Sequence, residues 1–286
     1  PARSGTVRSF ASLRMTRAVG FILQQILRGD FPIKDTNMKL KGQVAIITGA
    51  GRNIGEETAK LLASEGAKIA VVDLDKGRGD RVAGEIRKAG GDAMAFVLDV
   101  ASEPDIDRLV KDVAGRWGRI DILVNNAAIS DNKHILDITR EEWDRVIAVT
   151  LTGPFLLGKY VAKQMVAQGT PGKIVNVGST SGFYGRSRAI AYSAAKGGVA
   201  NLTRAMAVQL APHNIRVNGV VPNKIGSPVG KDEFDPTRPV VNLRGRAGVP
   251  RDLACAVLFL VSDDSDFVVG DMLFVDGGVT AMMVGQ

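Results

Sequence analysis

Short apolar runs alternate with amphipathic stretches along most of this chain. The first run spans residues 44–48 (Val-Ala-Ile-Ile-Thr). Others lie at 67–72, 93–98, 122–124, 174–177, 215–220 and 272–275. Each is too short for a helix and lacks polar alternation, which predicts strands buried on both faces. Between them, 56–64, 102–117, 141–167, a stretch from Tyr192 to Ala211, and 251–260 carry helical periodicity. Ser102 is placed to cap the second of these helices, and Thr139 with Glu142 reads as a capping box for the third. About seven strands alternating with helices predict an α/β fold, a doubly wound parallel sheet with right-handed crossovers and helices on both faces. There is no internal repeat, low-complexity stretch or second folded domain.

The N-terminus departs from this pattern. Residues 1–29 hold no acid, and 16–28 reads as an amphipathic helix with Val19, Ile22, Leu23, Ile26 and Leu27 on one stripe. A membrane-surface helix, an arm on a partner subunit, a targeting segment and an inert extension ahead of Met38 are all open readings, with the arm or the extension preferred. Residues 30–37 form a linker. Of the net charge of +7, residues 1–41 supply +6, from eight Lys/Arg and two Asp. The remaining 29 basic and 28 acidic side chains nearly cancel, so no nucleic-acid surface is implied. The chain therefore divides into a basic extension, 1–41, and a folded domain, 42–286. No apolar run reaches the ~20 residues of a membrane span. The single cysteine, Cys255, excludes an internal disulfide and fits a reducing compartment, so a cytoplasmic protein is expected. Its apolar surroundings, 253–261, predict a buried thiol.

The chemistry gathers at strand ends. The first strand closes on Gly49-Ala50-Gly51-Arg52-Asn53-Ile54-Gly55 and opens a helix, and the second stops at Asp73, eighteen residues beyond Gly55. Strand, glycine turn, helix, strand and acid in this order form a dinucleotide-binding unit of Rossmann type. The glycines let the backbone approach the pyrophosphate at a helix N-terminus. A carboxylate at Asp73 accepts hydrogen bonds from the adenosine ribose and repels a 2′-phosphate, favouring NAD over NADP; Arg52 pulls mildly the other way. Asp99, Asn125, Ser179 and Pro222 close later strands on the same edge. Tyr192 and Lys196, four residues apart, share one helix face. An ammonium there is expected to lower a phenol that ordinarily titrates near ~10, making a general acid/base pair, although the spacing alone also fits a chance surface pair.

The order and spacing of these pieces resemble the short-chain dehydrogenase/reductase family over roughly 40–278. The matching residues are Thr48-Gly49-x-x-x-Asn53-x-Gly55, Asp73, Asp99, Asn125-Asn126-Ala127, Ser179, Tyr192-x-x-x-Lys196 and Asp276-Gly277-Gly278. The resemblance implies that Tyr192 exchanges a proton with the substrate oxygen, Lys196 assists it and holds the nicotinamide ribose, and Ser179 bonds the substrate oxygen. It places Gly49, Gly51, Arg52, Asn53, Ile54 and Gly55 at the cofactor phosphates. Asp73 with Leu74 and Asp99 with Val100 would meet the adenosine, Asn125, Asn126 and Ala127 the centre, and Pro222, Ile225 and Ser227 the carboxamide. Thr150 occupies a catalytic position where most members have an asparagine that bends the helix and holds a water, which thins the proton relay. Asn53 and Asn223 stand where glycine is usual, as does Ala128.

The substrate is less legible. Pro228, Pro236 and Pro239 predict a lid over 222–246 without helices, mixing Lys231, Asp232, Glu233, Asp235 and Arg238. His134, Phe183, Tyr184 and Arg186 lie on segments expected to border the pocket, His134 as a loop residue; His213 reads as structural. No metal is expected, because no His/Cys/Asp cluster has ligand spacing. A homodimer or homotetramer is expected through the two long helices, where Gly197, Gly198, Ala200 and Ala205 permit close approach, with the tail 280–286 (Met282, Met283) across a neighbour. The favoured function is an NAD-dependent dehydrogenase or reductase of a secondary alcohol or ketone. The alternative is an NAD-binding scaffold or regulator with chemistry impaired at Thr150. An enoyl reductase is disfavoured, since by resemblance its tyrosine and lysine stand further apart.

Overall fold

The structure is a computed structural model and describes residues 38–229, 231 and 234–282. The chain divides into two units, Pro1–Met38 and Lys39–Gln286, and every described residue except Met38 lies in the second. The predicted N-terminal helix, the linker, Asp232 and Glu233 of the lid, and 283–286 lie outside the described residues.

Seven parallel strands form one sheet in the order β3-β2-β1-β4-β5-β6-β7. They are β1 (Val44–Thr48), β2 (Lys68–Asp73), β3 (Ala93–Val97), β4 (Ile122–Asn125), β5 (Gly172–Val177), β6 (Ile215–Pro222) and β7 (Met272–Val275). Order reverses between β1 and β4, where Ile46 stands beside both Ala70 of β2 and Leu123 of β4. That reversal opens a crevice at the strands' carboxyl ends. Alternate residues of one strand feed two cores. Ala45, Ile47, Ile69 and Val71 pack with Leu62, Val82, Leu253 and Val257 on one face. Val44, Ile46, Ala70 and Val72 pack with Leu109, Leu157 and Met206 on the other. This double burial is why the strands read as unbroken apolar runs.

The helices are α1 (Asn53–Ser64), α2 (Lys76–Lys88), α3 (Glu103–Trp117), α4 (Arg140–Ile147), α5 (Gly153–Gln168), α6 (Ile190–Leu210) and α7 (Pro250–Val261). Helix α2 had no clear signal, because only Gly79, Val82, Ala83 and Ile86 of its thirteen residues are buried. Ser102 occupies the N-cap of α3, but its side chain accepts no capping bond. The Thr139–Glu142 capping box forms as expected.

Two further expectations are corrected. Cys255 is exposed, since within α7 it points away from the buried stripe of Leu253, Ala254, Val257, Leu260 and Val261. The expected helix over 141–167 is interrupted by a π turn, Ala148–Thr152, between α4 and α5. Together they make one stretch, Arg140–Gln168, long and apolar enough to cross a membrane, yet 56% of its apolar window is buried against the rest of the fold. The lid forms no helix among its described residues; beyond Pro222, the last residue of β6, it holds turns, bends, irregular backbone and one bridge from Ile225 to Gly248.

Candidate active site

At the end of β1 the backbone turns at Gly49, whose φ is +61°. A Cβ on Gly55 would stand 2.1 Å from the Gly49 carbonyl oxygen, so α1 starts this close to the strand only because residue 55 is glycine. A Cβ on Gly51 would stand 2.7 Å from Asp73 Oδ2. The Gly51 amide instead donates to that oxygen at 2.8 Å, while Asp75 N donates to Oδ1 at 3.0 Å. These bonds aim the Asp73 carboxylate into the crevice. The Arg52 N-cap position supplies no side-chain acceptor to the first turn of α1. Arg81 steadies the turn from α2, donating to the Gly51 carbonyl at 2.9 Å and to Glu56 at 2.6 Å.

Asn53 adopts φ +53°, the left-handed conformation that glycine would take without cost, and Asn accepts it more readily than other side chains. Its amide donates to Ser227 Oγ at 2.6 Å and to the Ser227 carbonyl at 3.2 Å. Gly226, with φ +61°, leaves room for this contact; a Cβ there would fall 1.9 Å from Asn53 Oδ1. The glycine turn and the base of the lid are thereby joined across the crevice. Asn223, the other departure of this kind, donates to Thr180 Oγ1 at 2.7 Å.

At the end of β4, Asn126 Nδ2 donates to the carbonyls of Thr48 and Gly49 at 2.9 and 3.1 Å. Asn125 points the other way, into the core. It donates to Asn176 Oδ1 at 2.8 Å, Asn176 donates to Thr203 at 3.0 Å, and Thr203 donates to the Val199 carbonyl at 2.8 Å. Asn125 therefore ties β4 and β5 to α6. Thr150 is fully buried in the π turn, and its hydroxyl donates to the Ile129 carbonyl and accepts from the Ile129 amide, both at 3.1 Å. It pins the loop after β4 and does not line the cleft.

Helix α6 carries Tyr192 and Lys196. Its N-cap residue, Ala189, has φ +68° and no capping side chain. The cap comes from sixty residues upstream: Asp131 accepts from the Tyr192 amide at 3.2 Å and the Ala191 amide at 3.4 Å. Gly182 lets the segment after β5 lie on this helix, because a Cβ there would meet the Lys196 carbonyl carbon at 2.5 Å. Lys196 is buried and donates to the Val177 carbonyl at 2.5 Å, with its ammonium 5.7 Å from the centre of the Tyr192 ring. Ser179 donates to Ser181 Oγ at 3.1 Å and accepts from the Ser181 amide at 3.2 Å.

Burial pushes Lys196 down to about 7. Burial also lifts the Tyr192 phenol above the ordinary tyrosine value, against the opposing pull of the Ser179 hydroxyl and the Arg186 charge. The expectation that Lys196 lowers the phenol is thus corrected. Its nitrogen is turned to Val177, and near neutral pH it is itself losing its proton.

A cleft of about 1140 Å³ gathers most of the predicted residues. Gly49, Arg52, Asn53, Ile54 and Gly55 line one end, with Asp73, Leu74, Asp99 and Val100 beside them. Asn126 and Ala127 line the middle; Ser179, Tyr192 and Lys196, with Pro222, Ile225 and Ser227, line the other end. Gly51, Thr150, His134 and Phe183 do not line the cleft; His134 is exposed, and the Phe183 ring lies 5.0 Å from that of Phe274. Tyr184 and Arg186 do border the cleft, and so do Thr280 and Met282, which places the described part of the tail over this chain's own site. Asp131 and Arg145 had no sequence signal; Arg145 pairs with Asp99 at 2.8 Å. The glycine cradle, the open first turn of α1 and the aimed Asp73 carboxylate fit a nicotinamide dinucleotide.

Comparison with known proteins adds relatives to this geometry. A family model described as enoyl-(acyl carrier protein) reductase matches residues 49–280. The chain is 42% identical over 246 residues to cis-4-hydroxycyclohexanecarboxylate dehydrogenase of Sinomonas cyclohexanicum, covering 84% of this chain and 97% of that one. It is 39% identical over 248 residues to cyclopentanol dehydrogenase of Comamonas testosteroni, covering 85% and 99%. Among solved structures, a short-chain type dehydrogenase/reductase from Mycobacterium marinum matches with a TM-score of 0.78 at 33% identity, over 86% of this chain and 98% of that chain.

Proposed function

Because the chain belongs to the short-chain dehydrogenase/reductase family of oxidoreductases, we propose that it oxidises a secondary alcohol, or reduces the matching ketone, with NAD(H). The observation that carries this reading is the meeting of Ser179, Tyr192 and Lys196 at one end of a cleft whose other end is the glycine turn and Asp73. When bound, the cofactor supplies or accepts hydride. The chain's own residues handle the proton and the oxygen. Tyr192 gives a proton to the substrate oxygen in reduction and takes it in oxidation. Ser179 donates a hydrogen bond to the same oxygen and stabilises charge developing there. Lys196, anchored on Val177, keeps the tyrosine's side of the cleft in register and exchanges its own proton near neutral pH.

Preference for NAD rests on Asp73, whose carboxylate meets the ribose hydroxyls and opposes a 2′-phosphate; Arg52 and Arg78 line the same end and soften the preference. The spacing of Tyr192 and Lys196 favours carbonyl over enoyl chemistry, whatever the matching model's description. The two named relatives act, by name, on cyclic secondary alcohols, and such alcohols are the substrates to try first. Exposed Phe155, Val166 and Val208 on α5 and α6 support self-association as a dimer or tetramer.

The test couples binding to turnover. NADH and NADPH are titrated separately by nicotinamide fluorescence, then oxidation of cyclic secondary alcohols is followed in wild type and Tyr192→Phe. The reading expects tighter NADH than NADPH binding, and a loss of turnover of at least ~100-fold in the variant with NADH binding nearly unchanged. Equal turnover in Tyr192→Phe would sink it.

A further inference from the structure

The cleft is electrically divided. The acids that line it, Asp73, Asp75 and Asp99, sit at or just after the ends of β2 and β3, where Arg52, Arg78 and Arg145 also line the cleft and offset them. The segment after β5 and the lid bring four cations and no described carboxylate to the cleft wall, Arg186, Lys224, Lys231 and Arg238, and Arg186 is near enough to act on the Tyr192 phenol. The whole folded domain is nearly neutral, so this enrichment is local.

Among the described residues none of the four forms a salt bridge, although the Arg238 charge helps to hold the nearby Asp235 carboxyl below its ordinary value. Lys224 reaches the Pro239 carbonyl at 3.5 Å. Arg186 makes one long bond, 3.4 Å, to Ser181 Oγ, and Ser181 is in turn bonded to Ser179. Its charge is felt at the Tyr192 phenol. Arg238 rests its guanidinium on the Phe234 ring, 5.8 Å from the centre. Its Nε and Nη2 are shielded from solvent and have no hydrogen-bond partner among the described residues. Buried guanidinium donors without acceptors are costly, and an Nε/Nη edge matches two oxygens of one anionic group.

Building on the dehydrogenase reading, we propose that the substrate carries an anionic group on the side away from its reacting oxygen. It is a hydroxy or keto acid, with a carboxylate or sulfonate received by Arg238 and a field from Arg186 and Lys231 that draws the anion in. The reacting oxygen then lies at Ser179 and Tyr192.

The experiment compares the full chain's kcat/KM for 4-hydroxycyclohexanecarboxylate with that for its methyl ester, and for a hydroxyalkanesulfonate with the corresponding neutral alcohol, in wild type, Arg238→Gln and Arg238→Lys. The expected result is an anion-over-neutral ratio of at least ~10, falling as salt screens the field. Arg238→Gln should cut the ratio about tenfold, chiefly through KM, and Arg238→Lys should restore part of it. Whichever anion shows the larger ratio identifies the group. Neutral alcohols turned over as well as anions, or Arg238→Gln lowering both alike, would overturn the proposal while leaving the dehydrogenase reading intact. Should no alcohol be turned over, that reading fails, and calorimetric titration with 4-oxocyclohexanecarboxylate in the presence of NADH decides the anion separately. Binding lost in Arg238→Gln supports it; no binding to wild type overturns it.

Discussion

Asp131 caps the helix that carries Tyr192 from a different part of the chain, accepting the Tyr192 amide at 3.2 Å and the Ala191 amide at 3.4 Å. The carboxylate fills the place that Ala189 leaves empty at the start of α6, and faces the positive end of its dipole. Asp131→Ala should lower stability by ~1 kcal/mol and kcat by about five- to tenfold, with the KM for dinucleotide little changed. Asp131→Asn, which keeps the acceptor, should recover most of kcat. A Tm loss with kcat untouched would reduce Asp131 to a structural cap.

Lys196 is expected to weaken the fold it serves. With its pKa pushed down to about 7 in the folded protein, the unfolded chain binds more protons between about pH 7 and the ordinary lysine value of 10.5. Stability should therefore rise with pH across that window, and the penalty is fully present below it. Lys196→Met should abolish turnover yet raise Tm by several degrees at pH 6–7, with the advantage gone near pH 10.5. Thermal melts of both proteins across pH 6–10.5 check the sign.

Asn53 stands in left-handed backbone and holds Ser227. Asn53→Gly keeps that backbone at no strain but releases the lid base, so dinucleotide Kd should rise about three- to tenfold with Tm nearly unchanged. Asn53→Ala adds left-handed strain of ~1 kcal/mol and should lose a few degrees as well. Paired fluorescence titrations and melts separate the two effects. A Kd equal to wild type in Asn53→Gly would remove the clasp from the binding account.

Thr150→Val deletes one hydroxyl that serves both backbone groups of Ile129. Leaving an amide and a carbonyl unpaired should cost ~2–3 kcal/mol, read as a Tm drop of roughly 4–10 °C. Thr150→Ser should fold like wild type. A stable Thr150→Val would show that water replaces the hydroxyl without loss.

The sheet was legible because its strands are buried on both faces, so runs such as 44–48 carry no polar interruption. The glycine turn, Asp73 and the Tyr192–Lys196 pair were legible because each depends on local spacing. What stayed hidden depends on partners distant in sequence. No spacing announces that Asp131 caps α6, that Arg145 pairs with Asp99, or that Asn125 serves the core. Helix α2 was hidden for a different reason: at the sheet's β2–β3 side it buries too few apolar residues to show a period. The state of Lys196 and Tyr192 was misread because helical spacing conveys proximity but not burial, and here burial outweighs the neighbouring charge.

The strand order also governs how the chain must be made. β1 is synthesised first but lies inside the sheet, and its neighbour β4 begins at Ile122, long after Thr48 has left the ribosome. Until then one edge of Val-Ala-Ile-Ile-Thr offers unpaired amides and carbonyls together with two apolar faces. A translation pause between β3 and β4 would hold that edge open to other nascent chains. The interval between making β1 and making β4 is therefore the stage of synthesis at which this sheet is most open to aggregation.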